Sequence, residues 1–406
     1  MFRALSVPGY GRLLFSGWLW QMARWVTGFT GAFIAEDLSG SARLVQLSGV
    51  ALWAPLLIGG AVGGVISDRF DRRRTINGQF IATVPAAVLI GVAALTNRLS
   101  LWMIYPFMVM IGIGWVIDMT SRRSILYDLV GADHIDNAMA LEAIGSSSAL
   151  AIGSLIGGTI IQAMSVGAAL LLVAGMLGAS GIIFLSVPRV PEAKSGASTG
   201  LADLVAGVRM LRTERGLISV LVSTAIVNFF FFTFTPLMQI VGTDLGVGPA
   251  LKGLLGGMLG FGMMTGSLIV ARIRPHRGRA YSVGALGAMA LLTGFAGIPW
   301  YAGAAAFLFI SAIGVGLFGS TQGVLVMEAV DAERRGRALG LLSTAIGVLP
   351  IGMIALGEVA EMTSASTAII GSTLIGFFSF LVSLWRRPEI LSMSGSEASA
   401  SLDTDA

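Results

Sequence analysis

Cysteine is absent from the 406 residues, which removes disulfides, thiol nucleophiles and thiolate metal ligands together. Histidine is nearly absent: His134 and His276 stand alone, both in polar stretches. A buried zinc or haem site is not expected from such a set, and no cofactor is implied. Charge is also scarce, at 12% of residues. A soluble domain carries about 25%. With 55% hydrophobic residues and a mean hydropathy of +0.84, the chain lacks the polar surface to stay dispersed in water. It reads as a polytopic membrane protein. The 55 glycines fit tightly packed membrane helices, where small side chains let backbones approach. The net charge of +4 is no pointer to nucleic acid, because membrane topology explains the basic residues better.

Long apolar runs are what the chain has in abundance. Twelve spans are predicted, near 13–34, 45–67, 75–96, 100–121, 138–163, 167–187, 217–242, 250–271, 280–298, 302–325, 338–360 and 365–385. A hydrocarbon core of about 30 Å demands roughly 20 residues per helix. The runs are continuous rather than alternating, which favours helices over a barrel. The fold class is therefore all-α. The start of the chain, with two arginines ahead of a long first run, does not match a cleavable leader.

Basic residues test this count, since cytoplasmic connections are enriched in them. The termini and the even-numbered loops hold 22 Lys and Arg, and the opposite side holds Arg43, Arg98 and Lys252 alone. Both termini are thus expected in the cytoplasm. Trp102, Tyr105, Trp300 and Tyr301 fall where an aromatic belt would lie.

The chain divides in the middle. Residues 1–187 and 217–387 each hold six spans and form two pseudo-symmetric bundles. Between them, 188–216 combine a Pro/Gly/Ser-rich linker with helical spacing of Leu201, Leu204, Val205, Val208 and Leu211. That segment is an amphipathic helix, on the membrane face or packed on the bundles. Residues 388–406 are expected to be a disordered tail. An offset of 200 aligns the halves: Asp128 meets Glu328, Val130 meets Val330, Asp133 meets Glu333 and Leu141 meets Leu341. Such duplication is a transporter plan.

The loop after the second span reads GGVISDRFDRRR, from Gly63 to Arg74. It resembles the G-x-x-x-D-R-x-x-R-R signature of the major facilitator superfamily. Gly64, Asp68, Arg69, Arg72 and Arg73 match in place, and Asp71 stands where glycine is common. The matching loop of the second half keeps Gly266 and basic residues, with Val270 in the Asp position. The resemblance covers about 10–387. It implies alternating access, with Asp68 facing the positive end of a neighbouring helix. It also implies that Arg69, Arg72 and Arg73 latch onto carboxylates such as Asp128 or Glu142. The RRSILYDLVGADHIDNAMAL segment is similar to bacterial exporters of the enterobactin-exporter and macrolide-efflux type. Gly145, Gly153, Gly157 and Gly158 partly resemble the glycine-rich antiporter motif, without its proline. A simpler reading packs them on helix 8.

One charge stands inside a span. Arg24 lies within Leu13–Ile34, which has no other formal charge, and an ionisable residue at that depth is costly. Gln21, Arg24, Thr27, Gly28 and Gly31 recur at spacings of three and four and share one helix face. Arg24 either contacts an anionic or electron-rich substrate or is held in a structural pair. In the resembling fold, helices 1, 4, 7 and 10 line the cavity, which brings in Trp115, Asn228 and Gln322. Proton coupling needs a carboxylate that burial can keep protonated. Asp118 and Glu142 are the candidates, although Asp118 could instead pair with Arg122 one turn on. Glu358 and Glu361 are expected to be solvated.

These residues point to a secondary exporter of an amphiphilic drug-like compound or siderophore, working by alternating access and proton antiport, in a bacterial inner membrane. The alternative is uptake of a small organic anion clamped by Arg24. The partners are then a small-molecule substrate, lipid and a proton, with a monomer sufficient. An intramembrane enzyme would need a nucleophile and base converging in a span, and no such pair exists.

Overall fold

The computed structural model describes residues 3–69, 71–131, 133–189, 214–273, 276–331 and 334–393, with backbone alone at 58–69 and 136. Residues 201–213 of the expected amphipathic segment, 201–216, and most of the tail fall outside them. Among the described residues the regular structure is entirely helical. Long helices are what an apolar chain must form in lipid, because each satisfies its own backbone polar groups.

The first half holds α1 (Tyr10–Ser39), α2 (Ala42–Arg69), α3 (Arg72–Leu95), α4 (Leu101–Val130), α5 (Ile135–Ala163) and α6 (Val166–Leu185). The second holds α7 (Arg215–Asp244), α8 (Pro249–Ile273), α9 (Arg277–Gly297), α10 (Tyr301–Glu328), α11 (Arg335–Met362) and α12 (Ala365–Arg386). Among the described residues, ten helices are long and apolar enough to cross a membrane. α1 is long enough at 30 residues but carries Gln21, Arg24, Glu36 and Asp37. α2 contributes a shorter apolar stretch, Ala42–Leu57.

Several boundaries differ from the sequence reading. α4 does not stop near 121 but runs to Val130, passing through a π-helical turn at Asp118–Arg122. α7 is broken rather than continuous. Its first part ends at Phe230, a 3-10 turn follows at Phe232–Phe234, and a short helix resumes at Met238. Pro236 explains the break, since it has no N–H and its ring crowds the carbonyl four residues back. The freed Thr233 carbonyl accepts a bond of 2.9 Å from Gln46 Nε2 on α2. α11 is interrupted in the same way before Pro350. α1 stops at Gly40, whose φ of 62° suits the left-handed cap and lets its N–H reach the Glu36 carbonyl.

Packing forms two main apolar clusters, one within 4–187 and the other centred on 217–390. Their duplication is visible in matching ion pairs. Arg72 at the start of α3 meets Asp128 near the end of α4, and Arg277 at the start of α9 meets Glu328 at the end of α10. Two seams join the halves, α5 on α8 and α2 on α11. The first is lined by small residues. A Cβ at Gly158 would stand 2.3 Å from the Pro249 carbonyl, and one at Gly253 would stand 2.6 Å from the Ser154 carbonyl. Of the four glycines expected against helix 8, Gly158 alone meets it. Gly145, Gly153 and Gly157 face Trp18, Trp25 and Phe29 of α1 instead.

Gly158→Ala is expected to destabilise the protein by about 1–3 kcal/mol, because backbone on the partner helix cannot yield. Thermal unfolding in detergent should show a lowered midpoint. Gly175→Ala, with nothing within 4 Å, serves as the matched control and should not lower it.

Candidate transport site

Arg24 is buried, with 3% exposure, halfway along α1. Its guanidinium lies in a box of three indoles. The centroid distances are 4.4 Å to Trp25, 5.1 Å to Trp53 and 4.1 Å to Trp115. Trp53 and Trp115 meet edge to face at 4.8 Å, so the box is itself packed. A desolvated cation over an indole gains about 2 kcal/mol or more. Polar partners are poor by comparison. Nη1 makes one long contact of 3.4 Å to Gln21, and Nε and Nη2 have no acceptor. A buried donor left unpaired costs about 1–3 kcal/mol, and more when charged.

Towards the end of the bundle that carries the termini, a cleft of about 370 Å³ is lined by Gln21, Asp118, Arg122 and Glu142. Asp118 and Arg122 form a buried ion pair across the π-helical turn, which closes the spacing of four residues. Arg122 also reaches Ser16 Oγ at 3.2 Å. Glu142, two turns into α5, has a looser contact of 3.8 Å to Arg123, and its Oε2 accepts no hydrogen bond.

A second cavity, of about 530 Å³, lies between the halves. Trp25, Trp53, Ser48 and Ser154 line it from the first half, with Thr235 and Gln239 from the second. Gln239 Nε2 donates to the Phe29 carbonyl at 3.4 Å, and its Oε1 is unpartnered. Trp25, Trp53 and Gln239 were not singled out in the sequence. Trp25 was adjacent to Arg24, and Gln239 follows the Pro236 break, but nothing in the sequence links Trp53 to them.

The other expected residues are placed elsewhere. Asn228 Nδ2 donates to the Thr224 carbonyl at 2.9 Å, and Gln322 Nε2 donates to Thr224 Oγ1 at 2.9 Å. That network is completed by Tyr281, whose hydroxyl is 3.0 Å from Thr224 Oγ1. The structure thus groups Gln21, Arg24 and Trp115 in one half, and Asn228 and Gln322 in the other.

The signature loop makes contacts that differ in part from the expected ones. Gly64, Asp68 and Arg69 continue α2, described by backbone alone. Arg72 bonds Asp128 at 2.8 Å, with both side chains nearly buried. Arg73 meets no carboxylate among its described bonds. It donates to the carbonyls of Leu185 and Val187, each at 2.8 Å, and so caps the end of α6. Asp71, at the usual glycine position, accepts from the Arg74 N–H at 2.7 Å and caps the start of α3.

At the opposite end, charged groups cross between the halves. Lys252 on α8 bonds Glu36 on α1 at 2.7 Å, with side chains 7% and 11% exposed, and Thr243 joins both. Arg43 meets Glu358 at 2.7 Å. Glu361 accepts from Ser41 Oγ at 2.9 Å and from the Arg43 N–H at 3.0 Å. Glu358 and Glu361 are therefore not merely solvated; they tie α11 to α2. The exposed Arg43–Glu358 pair contributes about 0–1 kcal/mol, so the buried Lys252–Glu36 pair matters more.

Two helical halves, glycine-lined and charge-tied seams, and a cavity shared between them define a polytopic membrane transporter. The chain belongs to the Major Facilitator Superfamily, whose model matches residues 13–353. It is 25% identical over 355 residues to the uncharacterized MFS-type transporter YfiS of Bacillus subtilis (strain 168), covering 83% of this chain and 82% of that protein. It is 20% identical over 333 residues to macrolide efflux protein A of Streptococcus pyogenes, covering 79% and 82%. Among solved structures, a POT family transporter in complex with 5-aminolevulinic acid superposes with a TM-score of 0.77 at 13% identity, over 94% and 96% of the two chains. That likeness speaks for the fold alone.

Proposed function

We propose that this transporter crosses the membrane twelve times, with both termini in the cytoplasm, and exports an amphiphilic drug-like compound. The cavity between the halves carries the proposal. Its mix of indole walls and a few amide and hydroxyl groups suits an amphiphile. The charged ties at the end away from the termini are then the closed outer gate of one state. Similarity to macrolide efflux protein A supports the outward direction. Siderophore export remains within the same reading. Few hydrogen-bonding side chains line the cavity, which disfavours sugars.

Arg24 serves as the polar anchor, with Gln21 and Trp115 positioning it. Asn228 and Gln322 act through Thr224 on the facing half. Gly64, Asp68 and Arg69, with Arg72 and Arg73, form the inner gate. Protons couple through Asp118 and Glu142, supported by their common cleft. A monomer suffices because one chain lines the whole cavity. The unspent edge of Arg24 favours one alternative, uptake of a small organic anion.

The test uses acidified inside-out vesicles and a panel of amphiphilic drugs, catechol siderophores and organic anions. Export by antiport predicts protein-dependent proton release on adding a panel member. Accumulation of organic anions by right-side-out vesicles, without release by any amphiphile, would favour the alternative.

A further inference from the structure

The Arg24 guanidinium has one edge with nothing to bond. Nη1 is turned to Gln21, whereas Nε and Nη2 project two parallel N–H bonds from the other edge and find no acceptor. The three indoles do not meet this need. A ring face stabilises a cation but offers no lone pair to in-plane donors. Nor do the acids of the cleft that Gln21 lines: Asp118 is bonded to Arg122, and Glu142 faces Arg123. Trp25 and Trp53 belong both to the box around Arg24 and to the wall of the central cavity. The guanidinium therefore packs against two of the side chains that form that wall.

We infer that this edge reads a carboxylate, and that the substrate is a flat apolar molecule bearing one. The inference rests on the central cavity being the substrate site. Two parallel donors match the two oxygens of a planar carboxylate. A single buried cation balances one negative charge, whereas a phosphate dianion would leave one uncompensated. The indoles of Trp25 and Trp53 accept an aromatic body, stacked or edge to face. With Trp25 or Trp53 turned aside, the carboxylate reaches the guanidinium, and the gain over the unbonded state is specific to the acid.

The purified protein is titrated with 2-naphthoate, methyl 2-naphthoate and 2-naphthylmethylamine, read by quenching of tryptophan fluorescence. The acid is expected to bind at least about tenfold more tightly than the ester or the amine, the discrimination of one charged hydrogen-bonded contact. Arg24→Gln removes both the charge and the fork, and should erase that preference. Equal binding of acid and ester by the unmodified protein would overturn the inference, as would failure of all three to bind. A preference that survives in Arg24→Gln would overturn it too. The two readings fail separately. Acid preference without transport in vesicles removes export alone, and vesicle transport without acid preference removes the carboxylate alone.

Discussion

Arg24→Gln is expected to cut transport about ten- to a hundred-fold while leaving the amount of protein in the membrane unchanged. The magnitude follows from losing a charge-assisted contact to substrate, about 1.5–3 kcal/mol, where 1.4 kcal/mol is tenfold. The unchanged abundance follows from what the side chain does now. Its one polar contact is long, and two of its nitrogens have no partner, so few folded-state bonds are lost. The indole box loses its cation–π gain but is relieved of an unpaired buried charge. Gln keeps a polar group beside Gln21. Uptake into inside-out vesicles, normalised to protein by immunoblot, reads both quantities. Unchanged kinetics would remove Arg24 from the site. A matching loss of protein would make it a structural residue.

Lys252→Met is expected to open the end that carries Glu36. The Lys stem lies along Gly242, where a Cβ would come within 2.6 Å of Lys252 Cγ, and Met preserves that stem. What disappears is the ammonium, 5.4 Å from the Phe33 ring and bonded to Glu36. A nearly buried carboxylate that loses its partner costs about 3 kcal/mol or more. Opening the seam hydrates Glu36 and removes that cost. The equilibrium between the two states should shift by about a hundred-fold towards the open one. Pairing Lys252→Met with Glu36→Gln should restore the balance, because no charge is then stranded. Because the chain has no cysteine, a single introduced thiol reports the change without background.

Much of this architecture was legible in the sequence because it depends on local composition. Apolar length gives the helices. The spacing of Gln21, Arg24 and Thr27 gives a polar face. Likewise, Asp128 and Glu328 could be matched by offset, and the structure gives both the same partner type. What stayed hidden depends on contact between distant segments. Glu36 and Lys252 are separated by 216 residues, and no local pattern pairs them. Trp53 joins the Arg24 box from another helix. Arg73 was expected to seek a carboxylate, but the exposed carbonyls ending α6 were nearer, and they satisfy a guanidinium as well. The break in α7 had a visible cause in Pro236, yet the apolar run around it masked the interruption. The π-helical turn at Asp118–Arg122 has no sequence signal of its own.

In the proposed cycle one cavity opens in turn to both faces of the membrane. Thr235→Cys places a thiol in the wall of that cavity, at the break in α7. Labelling with a membrane-impermeant maleimide is compared in right-side-out and inside-out vesicles. Alternating access predicts labelling from both faces, with Lys252→Met raising the rate from the face of Glu36 and lowering it from the other. Labelling from a single face in both backgrounds would contradict the account.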